Sequence, residues 1–263
     1  MKKKKNLHTI LYILAVLTWV GAVSIASQLI VGYTMIGIMG RERLAEPLPT
    51  AVFSALSYTL AMVLIVFVPP KLLMKWQARK KQGKKQLADT EDCRVISRNE
   101  LGLKELPTWT DIGLAPVGYF AYLLLASGIT LLFSVFPWFD VEQAQNLGFS
   151  TFVTGSDRVI AFLVLVVVAP IVEEVIFRGW LYAKVRKKTA AVTNNVVSMM
   201  ITIFLVSLLF GIVHMQWNIG VDVFALSIVL CALREVTGTI YAGMLLHMLK
   251  NGIAFYLLYV IGF

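Results

Sequence analysis

Long apolar runs broken by short polar stretches set the pattern of this chain. A membrane-spanning helix needs about 20 predominantly apolar residues. By that measure seven segments qualify. The first lies within Leu11–Met39 and is longer than one crossing needs, so it tilts or extends along the interface. The second covers about Val52–Val68 and is closed by Pro69 and Pro70. The third is about Ile112–Phe136, with Trp138 and Phe139 as its interfacial end. The fourth starts near Val159, the fifth is about Val196–Met215, the sixth about Val221–Leu233 and the seventh about Ile240–Ile261. No alternation of apolar and polar positions suggests a β-barrel, so an all-α, polytopic membrane protein is expected. Two parts follow: residues 1–110, a transmembrane hairpin with a basic loop, and residues 111–263, a helical core.

Composition supports the membrane reading. The chain has 263 residues and is 58% hydrophobic, against about 45–50% for a soluble domain. Its net charge of +9 would fit a nucleic-acid binder, but the charges are not spread as such a surface requires. Lys2–Lys5 precede the first span, ten of the 24 basic residues fall in Lys71–Asp111, and Arg186, Lys187 and Lys188 follow the fourth span. Basic clusters at alternate span ends report orientation, so the N-terminus is expected in the cytoplasm of a multi-pass cell-membrane protein, with the lipid bilayer rather than nucleic acid as partner. The lysine-rich start resembles a signal peptide, but the apolar run behind it is too long and ends in no clear cleavage site, so it is read as an uncleaved first span. Cys93 and Cys231 are too few for a disulfide framework and are read as free thiols.

Candidate chemistry sits in the apolar segments. The fourth contains Pro170-Ile171-Val172-Glu173-Glu174 and, four residues on, Arg178. A charged side chain at the centre of a membrane helix costs at least about 2.5–3.5 kcal/mol on insertion scales and commonly marks chemistry or transport. Glu174 and Arg178 are helical neighbours in the favourable order, acid first. Glu173 points about 100° away, so one carboxylate can be neutralised while the other stays available. A helix-end ion pair with a snorkelling Arg178 also accounts for Glu174 and Arg178, though not for Glu173. The fifth segment ends Phe210-Gly211-Ile212-Val213-His214. The seventh carries His247 and Asn251 on one face, with Lys250 beside them. His247 and Asn251 can donate to a developing oxyanion. They equally suit metal ligation and its orientation, or hydrogen bonding between membrane helices. Lys250 has no assigned role; it snorkels or borders a water-filled cavity.

Taken together, Glu-Glu-x-x-x-Arg (173–178), Phe-x-x-x-His (210–214) and His-x-x-x-Asn (247–251) resemble the CPBP family, the CAAX-protease and bacteriocin-processing (Abi) intramembrane proteases. The resemblance covers about 157–263. It implies an endopeptidase acting on membrane-associated or lipidated protein or peptide substrates. It also implies Glu173 as general base, His214 assisting, His247 and Asn251 as oxyanion site, and Glu174 and Arg178 as a brace. The family is often described as metalloproteases. The chain lacks His-Glu-x-x-His, so no cofactor is favoured, although Glu173, His214 and His247 could supply a three-ligand zinc site.

Two other functions fit the same residues. Intramembrane Glu, His and Lys also suit a transporter or ion pathway, against which stands the lack of an internal repeat. A catalytically silent immunity or scaffold protein is the other. One geometric condition follows. His247 lies roughly 14 Å along its helix from Gly238, Glu173 roughly 20 Å from Arg186 and His214 roughly 30 Å from Asn194. For these to meet, the fourth helix must run beyond one membrane thickness, and the fifth must tilt or start low.

Overall fold

The computed structural model describes residues 2–80, 96–140, 155–214 and 216–261, and those residues form helices and connecting turns without a strand. The chain runs α1 (Lys2–Met39), α2 (Arg41–Leu44), α3 (Pro47–Lys80), α4 (Arg98–Leu101) and α5 (Trp109–Phe133). It continues with α6 (Gly155–Ala190), α7 (Asn195–Ile212), α8 (Trp217–Thr237) and α9 (Tyr241–Ile261). The polar loop expected around Lys71–Asp111 is partly helical: α3 extends to Lys80 and α4 lies near its end, while its residues 81–95, with Cys93, fall outside the described residues.

Local sequence explains several helix ends. Ser97 and Glu100 form a reciprocal capping box at α4, and Thr108 and Asp111 form another at α5. Asn194 caps α7 by accepting the Val197 N–H. Pro69 and Pro70 end the apolar part of α3 but not the helix, contrary to expectation from sequence. Proline removes only its own backbone donor and crowds one preceding turn, and membrane helices tolerate that loss.

Among the described residues, six helical segments are long and apolar enough to cross a membrane: Asn6–Met39, Leu48–Val68, Trp109–Phe133, Gly155–Ala190, Asn195–Ile212 and Tyr241–Ile261. Large apolar side chains such as Phe120, Leu124, Leu131 and Ile38 are exposed around the outside, which a lipid-facing surface requires and a watery one penalises. The protein is a membrane protein. The sixth segment expected from the sequence is α8, a 21-residue helix. Its polar ends are used inside the protein: Asp222 accepts from Tyr122 and pairs with Lys250, and Glu235 accepts from Tyr182 and Arg186.

α6 is the axis of the fold. Half of its most apolar window is buried, against at most 28% for the other five spans. It packs on α3, α7 and α9. At 36 residues it is about 54 Å long, well beyond the ~30 Å hydrocarbon core, as the depths of the polar residues demanded. Arg178, Leu181 and Phe210 are fully buried around it. Rings of Phe133, Phe136, Trp138, Phe139 and Trp217 meet edge-on, tilted or, for Phe136 and Trp138, stacked at the end of α5, forming the aromatic end read from the sequence.

Candidate active site

The two glutamates sit on a single α-helical turn, Ala169–Glu174, between two π-helical stretches of α6, Leu163–Val168 and Val175–Leu181. Such stretches are rare and gather at functional sites. The first leaves one carbonyl without its backbone donor. Ala169 N–H donates to Val164 O, five residues back. The same register would pair Leu165 O with residue 170, which is proline and has no N–H. A side chain supplies the missing donor: Asn251 Nδ2 donates to Leu165 O at 3.0 Å. A carbonyl inside a membrane protein needs such a partner. The Asn251 amide therefore ties α9 to the turn that carries the glutamates. This is the interhelical hydrogen bond that the sequence had left as one alternative to an oxyanion donor.

Beyond this turn the two carboxylates differ. Glu174 Oε1 accepts from Arg178 Nη1 at 2.9 Å and from His247 Nδ1 at 3.0 Å. Glu174 and Arg178 are both wholly buried. The Arg178 guanidinium also stacks 4.3 Å from the centre of the Phe210 ring. Gly243 on α9 makes room for this pair, since a Cβ there would stand 3.4 Å from Glu174 Oε2. Glu173 is held less tightly. Its Oε2 is 3.7 Å from His247 Nε2, beyond hydrogen-bond length. The ring of Tyr58, on α3, packs against the hydrophobic core, and α3 packs on the turn that carries the glutamates.

The histidines flank one ring. Phe210 meets His214 and His247 nearly edge-on, at centroid distances of 4.9 and 5.9 Å. His214 Nδ1 is 2.7 Å from Phe210 O, so in a neutral ring Nδ1–H donates there and Nε2 keeps its lone pair. Glu173, His247 and Lys250 lie within electrostatic reach of the His214 ring. His214 is placed two residues beyond α7. That placement follows from a close crossing of α7 and α8: a Cβ on Gly211 would come within 2.7 Å of Gly220 O.

His214 and His247 thus flank Phe210, Glu173 lies beside His247, and Asn251 lies one helical turn from His247 on α9. Among the described residues no three His, Cys, Asp or Glu side chains are gathered closely enough to hold a metal ion. Lys250, unassigned from sequence, pairs with Asp222 at 3.2 Å. Asp222 in turn accepts from Tyr122 at 2.6 Å, which makes a second polar cluster joining α5, α8 and α9. Cys231 is a buried free thiol.

Residues 155–253 match the family model described as Type II CAAX prenyl endopeptidase Rce1-like. The match bears out, over this segment, the resemblance to the CPBP family. The CPBP match contains all three motifs and every residue gathered around Phe210, and it leaves α1 to α5 outside. No curated protein and no solved structure matches the chain. Within the CPBP segment, the Gly179 that follows Arg178 has a local reason. A Cβ there would stand 3.1 Å from the Leu101 side chain and 3.2 Å from its carbonyl oxygen, so glycine lets α4 seat on α6.

Proposed function

We propose that the protein is a membrane-embedded endopeptidase in which Glu173 activates a water molecule to hydrolyse a peptide bond of a membrane-associated or lipidated substrate. The observation that carries this reading is the inequality of the two glutamates. Glu174 is occupied by Arg178 and His247, whereas Glu173 faces the histidines with its carboxylate uncommitted to either. A general base must be able to take a proton in reach of the attacking water. Glu173 fits that role and Glu174 does not.

In this mechanism the water loses a proton to Glu173 as its oxygen attacks the scissile carbonyl carbon. His214 offers Nε2 as a second acceptor on the same side. With both ring nitrogens protonated, His247 would donate Nδ1–H to Glu174 and Nε2–H to the carbonyl oxygen, where negative charge develops. The proton on Glu173 then passes to the leaving amine, and the carboxylate is restored. Glu174 and Arg178 hold His247 in place, and Asn251 holds the α6 backbone beneath the glutamates. No step is routed through a metal ion.

Orientation and substrate complete the reading. The N-terminus and the basic ends of α3 and α6 face the cytoplasm of the cell membrane. Prenylated proteins and other membrane-associated peptides are the candidate substrates, the former suggested by the family description. The test is a comparison of the peptides released from membranes carrying the wild type and the Glu173→Gln variant. Peptides that appear only with the wild type support the reading. Identical peptide populations at equal protein level overturn it and favour transport or a silent scaffold.

A further inference from the structure

We propose that Arg234, near the end of α8, is a positioning residue for the chain of side chains Arg178, Glu174 and His247, acting on it through the Arg178 backbone. This rests on the reading of that chain as the support of a catalytic site.

Arg234 donates to three backbone carbonyls, each on a different part of the fold. Nη1 donates to Gly238 O at the turn between α8 and α9. Nη2 donates to Glu100 O on α4 at 3.0 Å, and Nε donates to Arg178 O on α6 at 3.4 Å. The first bond is ordinary helix capping by a basic residue in a last turn. The other two reach across the fold. Arg178 lies in the second π-helical stretch of α6, Val175–Leu181. An unbroken α-helix would send Tyr182 N–H to Arg178 O. Here Tyr182 N–H goes to Phe177 O and Gly179 O. Arg234 Nε takes up the carbonyl that this change of register passes over, as Asn251 Nδ2 does for Leu165 O beside the first stretch. A side chain from another helix thus meets each π-helical stretch, one on either side of the glutamates. The backbone at Arg178 sets where its side chain starts. From there Arg178 Nη1 reaches Glu174 Oε1, and the same oxygen holds His247 Nδ1.

The surroundings are shaped for a guanidinium. Gly102, at φ +78° just beyond α4, leaves room for it: a Cβ there would stand 2.8 Å from Arg234 Cζ. Ile240 N–H donates to Gly102 O at 3.2 Å, which ties that backbone to the start of α9. Both α4 and α8 pack on the Val175–Leu181 stretch. A planar fork of five N–H donors can serve carbonyls in three directions, whereas a lysine ammonium is a compact point and cannot span them.

Two measurements on the full chain test this. The first needs no substrate. The chain has three histidines, so labelling the imidazole nitrogens gives a short NMR spectrum, in which the His247 signals are those lost in His247→Gln. Arg234→Met keeps an unbranched stem and removes the donors. It should move the His247 Nδ1 resonance and leave that of His8 in place. Thr237→Val is the control, since it removes side-chain bonds to Leu233 O and Thr239 O at the same turn and none to Arg178. An unmoved His247 resonance in Arg234→Met, or an equal movement in Thr237→Val, overturns the proposal. If Arg234→Met does not fold, Gly102→Ala replaces it: this variant keeps Arg234 but displaces the guanidinium. The same resonance should move, and an unmoved one overturns the proposal equally.

The second is kinetic, with a farnesylated peptide carrying a fluorophore and quencher on either side of the bond following the modified cysteine, and its unprenylated counterpart. Arg234→Met should lower kcat by about 10- to 100-fold, with KM within about two-fold. Added to His247→Ala it should cost nothing more, because the group it positions is gone. A loss that persists in full in the His247→Ala background, or that follows the melting temperature, would mean a merely structural arginine. If Glu173→Gln keeps full turnover, the general-base reading fails and this proposal with it. If Glu173→Gln is inactive and Arg234→Met is not impaired, only the proposal for Arg234 fails.

Discussion

Two polar clusters converge on α9, and they are built to different specifications. One joins Glu173, Glu174, Arg178 and His247; the other joins Tyr122, Asp222 and Lys250. In the first, the ion pair between Glu174 and Arg178 has no solvent exposure on either side chain. In the second, the pair between Lys250 and Asp222 keeps 14% and 32% of its side-chain surface open. Burial sets what each pair is worth. A charge removed from a wholly buried pair strands its partner at high cost, while a partly solvated partner can turn to water. The first cluster also contains one carboxylate more than its arginine can neutralise. The chemistry proposed for the first cluster rests on that surplus, at Glu173.

The largest expected effect lies in that surplus. Glu173→Gln keeps the shape and most of the hydrogen bonding but cannot take a proton, so turnover should fall about 10²- to 10⁴-fold with the melting temperature preserved. Turnover of a cleaved peptide by this variant at the wild-type rate would erase the distinction between the two clusters. Arg178→Ala comes next. It leaves Glu174 buried with only His247 as partner, and the cost expected for breaking a buried pair is about 3–5 kcal/mol, visible in thermal or denaturant unfolding in detergent. An unchanged transition would show that Glu174 is stable without its arginine.

Asn251→Ala sharpens the boundary of the site. Losing the donor to Leu165 O should cost about 1–3 kcal/mol of stability, because no backbone N–H replaces it beside Pro170. An activity loss of about 10²- to 10³-fold with full stability would instead return Asn251 to the oxyanion role. The smallest effect belongs to the second cluster. Asp222→Asn should alter stability by roughly 1 kcal/mol or less, read from the same unfolding curves. A loss as large as that of Arg178→Ala would mean that exposure is a poor guide to these two pairs.

Much of this was legible in the sequence because it is local or compositional. Apolar length fixes where helices lie, independently of what surrounds them. The i,i+4 spacing of Glu174 and Arg178 fixed their pairing, and it survives the π-helical stretch on which Arg178 lies. The spacing of Phe210 and His214 likewise survives as a ring contact and a bond from the imidazole to Phe210 O. Other features were not legible. Pro170 was visible, but that the missing N–H would fall opposite Leu165 O depends on helical register, and that Asn251 would reach it depends on how α9 crosses α6. Lys250 had no evident partner because Asp222 lies 28 positions away on another helix.

The sequence by itself therefore determined the membrane setting, the helices, the brace between Glu174 and Arg178, and the identity of the chemical groups. The family match over residues 155–253 follows from the same information. The tertiary structure decided how those groups are shared out. It gave His247 to Glu174 at 3.0 Å and withheld it from Glu173 at 3.7 Å. It sent Asn251 to a backbone carbonyl and Lys250 to Asp222 on another helix. The physical reason is range. Hydropathy and helical spacing act over a few residues, but a hydrogen bond is won or lost over tenths of an ångström, and only the packing of whole helices sets that distance.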